Sequence, residues 1–116
     1  FYYNDQQPDK IFYQGLAWRA LGDENRARGC FNKLIKHGEK HLFDTCRIDY
    51  FAVSLPDLAI WEDDLNKRNR IHCNYVMGLG YLGLDEIPEA AGFLDKVIEL
   101  DINHQGAQIH RSLCDA

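Results

Sequence analysis

The side chains best equipped for chemistry in this 116-residue chain are the run Glu62-Asp63-Asp64, the pair His72-Cys73, His104, His110 and the glycines at 78, 80 and 83. Carboxylates supply acid–base groups or hard-cation ligands. Three consecutive residues on a helix, however, point about 100° apart, so Glu62, Asp63 and Asp64 do not converge. They read as a helix-start or solvated face, and the alternating ligands and turn glycine of a calcium loop are missing. His72 and Cys73 are neighbours in sequence, and adjacent helical residues do not face each other as a nucleophile and its base must. His104 and His110, six apart, fall on nearly opposite sides of one helix, so they do not make a simple metal pair. Gly78, Gly80 and Gly83 lack the preceding strand of a phosphate-binding loop, which leaves close helix packing, at Gly78 above all, with Gly83 in the turn that follows. Cys30, Cys46, Cys73 and Cys114 show no metal-ligand spacing and read as buried or half-buried thiols. The expectation is therefore no catalytic residue, no metal site and no cofactor.

Composition narrows the class further. Apolar residues make up 46% and charged residues 27%, which is ordinary for a folded chain. The net charge of -5 is uneven: residues 1–58 carry eight charges of each sign, residues 59–116 ten acidic and five basic. Phosphate binding needs a net positive surface, so nucleic acid is not an expected partner. No apolar run is long enough to cross a membrane. The start, Phe1-Tyr2-Tyr3-Asn4-Asp5, has no export-signal pattern and reads as a cut inside a longer chain, which leaves the compartment open.

The elements that must carry these residues are helices. Ile11, Phe12, Leu16, Ala17, Ala20 and Leu21 recur at helical spacing over 9–21. Gly22-Asp23-Glu24 is a turn with acidic residues placed to cap a second helix. That helix presents Ala27, Cys30, Phe31, Leu34 and Ile35 on one face, and His37-Gly38 is expected to end it. A third helix is predicted over 40–53, and a fourth capped by Ser54 with Pro56 in its first turn, which either ends near Asn66 or continues through Lys67 to Asn69 into the next helix. A fifth covers 71–82, a sixth runs from Ile87 or Pro88 to Leu100, and a seventh spans 104–113.

Superposing the chain on itself so that Gly15 falls on Gly78 also pairs Trp18 with Tyr81, Ala27 with Ala90, Phe31 with Leu94 and Leu34 with Val97. The order is small, aromatic, small, large, large. In this pattern the two segments resemble tetratricopeptide repeats, with Ile98-Glu99-Leu100-Asp101-Ile102-Asn103 similar to the family's ending except that Ile102 replaces its proline. The resemblance implies an all-α, right-handed α-solenoid fragment of about three stacked helical hairpins: repeat 1 at 8–41, a degenerate middle repeat at 42–70, repeat 3 at 71–104, and a capping or truncated helix at 104–114. Two repeats of the family's regular length would set the copies further apart than Gly15 and Gly78 stand, so the middle unit is shorter than a full repeat.

By the same resemblance, the first helices of the repeats line a concave binding surface. Its positions fall on Asp9, Phe12, Leu16 and Arg19, and on His72, Tyr75, Leu79 and Leu82. This mixture suits a protein or peptide segment, and equally another domain of the same chain. The segment from Trp61 to Leu84 also resembles the C-terminal repeat region of large uncharacterised bacterial proteins of gut-type organisms, which implies an upstream β-rich, sugar-related domain of the galactose-mutarotase-like kind. Two roles follow as expectations: a non-catalytic module for protein–protein or interdomain contact, or an accessory domain of a carbohydrate-active or sugar-sensing protein. An uncovered end of the array also allows end-to-end self-association of the fragment.

Overall fold

A short turn punctuated by a left-handed residue folds one helix back on the next, and this chain does so twice with the same bonds. The computed structural model describes residues 8–42 and 56–115, and only the backbone of residues 56–64. Within them lie five α-helices and no strand: α1 (Pro8–Ala20), α2 (Glu24–His41), α3 (Pro56–Gly83), α4 (Ile87–Leu100) and α5 (Gln105–Leu113). The fold is all-α among the described residues.

At the end of α1 the Asp23 amide donates to the Trp18 carbonyl and the Gly22 amide to Arg19. At the end of α3 the Glu86 amide donates to Tyr81 and the Asp85 amide to Leu82. Both are Schellman closures, in which a residue of positive φ turns the chain and satisfies carbonyls left over at a helix end. Gly22 takes φ 86° without strain, whereas Asp85 takes φ 62° with a side chain. Asp85→Gly is therefore expected to raise stability by about 0.5–1 kcal/mol and Gly22→Ala to lower it by about 1 kcal/mol, read as opposite shifts of the urea midpoint. Asp23 then caps α2, its carboxylate accepting from the Arg26 amide at 3.1 Å.

Packing repeats along with the turns. A methyl placed on Gly15 would lie 2.5 Å from the Phe31 ring, and one on Gly78 would lie 2.8 Å from Leu94. The paired residues of the two segments thus meet in three dimensions as the superposition implies. Ala27, Phe31, Ala90, Leu94 and Val97 are all fully buried, and Leu34 nearly so. The matched aromatics differ in use: Trp18 carries the Arg26 guanidinium on its face, while Tyr81 stacks on Phe93 with ring centroids 5.4 Å apart.

Two sequence expectations are corrected. Gly38 does not end α2, which continues to His41. Its missing side chain instead makes room for α3, whose Met77 side chain and Cys73 carbonyl occupy the space a Cβ would need. The predicted fourth and fifth helices are one helix, α3, so the boundary between 70 and 71 falls within a continuous element. Nothing in Lys67-Arg68-Asn69-Arg70 breaks a helix, and Asn69 is drawn into the fold: its Nδ2 donates to the His41 carbonyl at 2.8 Å, satisfying an acceptor at the end of α2. α2 and α3 run antiparallel, with Phe31 beside Gly83, Ile35 beside Gly80 and Gly38 beside Met77. The third helix expected over 40–53 lies outside the described residues from 43 on, as do Ser54 and Cys46, and its first two positions, Lys40 and His41, belong to α2. Cys73 is buried, and Cys30 and Cys114 are half-buried thiols.

Candidate binding surface

The eight residues expected to line a groove separate into two groups. Phe12, Tyr75, Leu79 and Leu82 are buried, none more than 8% exposed. Asp9, Leu16, Arg19 and His72 keep part of their surface. The first four are therefore core residues in this fold and not open contact positions. For Phe12 and Tyr75 the reason is that α1, α3 and α5 converge at one end. Phe12 lies edge-on to His110 of α5 at 5.4 Å between ring centroids. The Tyr75 ring sits against Gly106, where a methyl would come within 2.5 Å of its hydroxyl.

A polar network threads this junction. The Tyr75 hydroxyl donates to the Asp9 carboxylate, joining α3 to α1. His110 Nδ1 lies 2.7 Å from the Gly106 carbonyl, which can only accept, so Nδ1 carries the proton. In the neutral ring Nε2 is then the acceptor, and the Tyr13 hydroxyl stands 3.1 Å from it, joining α1 to α5. Burial pushes the Tyr75 hydroxyl well above the ordinary tyrosine range, and the bond to Asp9 adds to the effect. Among the described residues no buried side-chain nitrogen or oxygen lacks a partner. A satisfied network of this kind fixes how three helices meet. Sequence reasoning weighed His110 only beside His104 and missed Tyr13 and its pairing with His110, whose distance apart along the chain leaves no local signal.

Histidines gather on the neighbouring face. His37 and His41, one turn apart on α2, have ring centroids 4.6 Å apart, and His72 of α3 stands 6.1 Å from His37. His104 caps α5 by accepting the Ala107 amide at Nδ1, 3.0 Å away, and its ring lies 4.7 Å from Tyr75. Burial, and after it the nearby His37, His104 and His41, together lower the His72 pKa to about 4. The unfolded chain then binds a proton near pH 6.5 that the folded chain takes up only near pH 4. Stability is full above pH 6.5 and falls as the pH drops through this window. After allowance for solvent screening, His72 contributes about 2 kcal/mol to that loss. Urea midpoints at pH 7.0 and 5.0 should differ accordingly, and His72→Gln should flatten the difference. Among the described residues no group of three or more His, Cys, Asp or Glu is arranged to hold a metal ion.

Arg19 is spent on the first hairpin. Its guanidinium grips Glu24 through Nε at 3.0 Å and Nη2 at 2.9 Å while lying over the Phe31 ring. Asp9 and Arg19 thus have partners on this chain, and the larger apolar exposure lies elsewhere, at Tyr13, Leu21, Ile102, Ile109 and Leu113. No helix among the described residues is long and apolar enough to cross a membrane. No protein-family model matches the chain, and no solved structure matches it.

Proposed function

We propose that this chain is a tetratricopeptide-like helical-repeat module, part of a right-handed α-solenoid, that mediates protein–protein or interdomain contact and performs no chemistry of its own. The observation that carries the reading is the recurrence of one hairpin, with the same turn bonds and the same glycine-to-large-residue contact, at Gly15 with Phe31 and again at Gly78 with Leu94. Hairpins of this kind bury their faces only by stacking, and stacking leaves ordered surfaces at the ends and sides of the array. A partner bound by such a surface does not have to pay for ordering it. The partner is a protein or peptide segment, or another domain of the same polypeptide.

The test is affinity capture of the polypeptide that carries this chain, alongside a version lacking residues 8–104, read by mass spectrometry. A specific partner lost only from the deletion supports intermolecular contact. An unchanged partner set with a lowered melting temperature of the rest of the polypeptide supports the interdomain form. If both partner set and melting temperature are unchanged, the proposal fails.

A further inference from the structure

The last helix docks through its small and polar residues. α5 turns Ile109 and Leu113 outward, 58% and 47% exposed, and buries Ala107 and His110. α4, by contrast, buries Ala90, Leu94 and Val97. Apolar burial stabilises in proportion to the area removed from water, so one methyl and one imidazole hold α5 far less firmly than a leucine and a valine hold α4. Cys114, just past the end of α5, is only half-buried. The other links are polar and reach solvent. Tyr13, whose hydroxyl stands 3.1 Å from His110 Nε2, is half exposed, and so is Asp95, which pairs with Arg111 at 2.9 Å. Such bonds exchange for bonds to water when a helix leaves, so they fix where α5 docks and add little to how tightly. Ile102, in the joint to α4, is 71% exposed and adds no anchor. A helix of nine residues is also too short to persist alone, so the helicity of α5 depends on its docking. Within one fold the elements with the least buried apolar surface open first.

What α5 covers is specific. Phe12 lies edge-on to His110, and the Tyr75 ring rests against Gly106 and His104. Both are positions at which the tetratricopeptide resemblance places a binding surface, and Asp9, bonded to the Tyr75 hydroxyl, is a third.

We infer that α5 is an autoinhibitory strap: it undocks as a unit while α1 to α4 stay folded, and so uncovers Phe12 and Tyr75 as a seat for a helix. That a partner then uses the seat rests on the repeat-module reading above; the undocking does not.

Native-state hydrogen exchange of the 116-residue chain at pH 7 tests the undocking. The amides of Gln108 to Cys114 should open together, at least about a hundredfold more often than those of Leu94 and Val97. The inference is overturned if they open only together with α4. It is equally overturned if Gln108 is as slow as Leu94 and exchange quickens only towards the chain end, which is fraying. Ala107→Arg places a charge at a fully buried position of α5 and should evict the helix. The variant should keep a cooperative melt, whereas Ala90→Arg, as deeply buried in α4, should abolish it. In Ala107→Arg, hydroxyl-radical footprinting read by mass spectrometry should find Phe12 and Tyr75 at least about tenfold more reactive, as a rare open state becomes the main one. Loss of the melt, or a melt kept with both rings still protected, sinks the inference. A synthetic peptide of residues 103–116 titrated into Ala107→Arg should restore the protection with a Kd below about 1 mM. The same peptide carrying Gly106→Val should not, because its added carbons would meet the Tyr75 hydroxyl. If neither peptide protects the rings, or both do, the seat does not take a helix as α5 is docked. None of these readouts involves a partner protein, so their failure is distinct from failure of the repeat-module reading in the capture experiment.

Discussion

Gly83→Ala is expected to lower folding stability by about 3 kcal/mol, read as a shift of the urea midpoint at unchanged slope. The added methyl would overlap the Phe31 ring, whose atoms already fill the space beside Gly83. The ring has no room to retreat. The same Cδ1–Cε1 edge also meets Gly15, where a Cβ would stand 2.5 Å from Cε1, and the residue is fully buried. One aromatic ring from α2 is thus clamped between a glycine of α1 and a glycine of α3. Interiors are packed to crystal density, so overfilling such a point moves helices and not only a side chain. The rescue follows from the repeat. Leucine occupies the equivalent place at Leu94, against Gly78. Phe31→Leu alone should cost about 1 kcal/mol, and combined with Gly83→Ala it should recover at least half of the loss. A double-mutant coupling below about 0.5 kcal/mol would refute the clamp.

Gly80→Ala is expected to cost as much, about 3 kcal/mol, but without rescue. A methyl there would lie 2.6 Å from Ile35 Cγ1 and 2.8 Å from the Phe31 carbonyl oxygen. The first contact belongs to a side chain and can be removed by Ile35→Ala. The second belongs to the backbone of α2, and a helix can yield only by moving as a body. Gly80→Ala with Ile35→Ala should therefore lose close to the sum of the two single costs, in contrast to the Gly83 and Phe31 pair. Recovery of most of the Gly80 loss by Ile35→Ala would show that side-chain crowding, and not helix separation, limits the interface.

The pairs matched by superposing the chain on itself were legible because they are local consequences repeated twice. Gly22 and Asp85 lie in turns whose bonds reach back only to Trp18 and Tyr81, and Ala27 and Ala90 follow within the first turns of the next helix. α1, α4 and α5 also lie within a residue or two of the expected spans. Gly38 was misread for a physical reason. Glycine serves both to end a helix and to admit a neighbouring one, and only the position of Met77 decides between these uses. The continuity of α3 was left open in the sequence: Lys67 to Asn69 carry no stop signal, but the bond that draws this stretch into the fold, Asn69 to the His41 carbonyl, joins segments far apart in sequence.

The expected groove was legible as a set of positions but not as a surface. Tyr75 and Phe12 stand where the pattern places them, yet their exposure depends on how closely α5 approaches α1, and that approach is set by Tyr13, His110, Asp9 and Gly106 acting together. The sequence by itself determined the helical class, the two hairpin turns and which residues recur between them. These follow from backbone preferences and from periodicity along a single helix. Only the tertiary structure decided which glycines admit a neighbouring helix, which groove residues become core, and which helix face is left uncovered. Those depend on distances between segments far apart in the chain, which no local preference encodes.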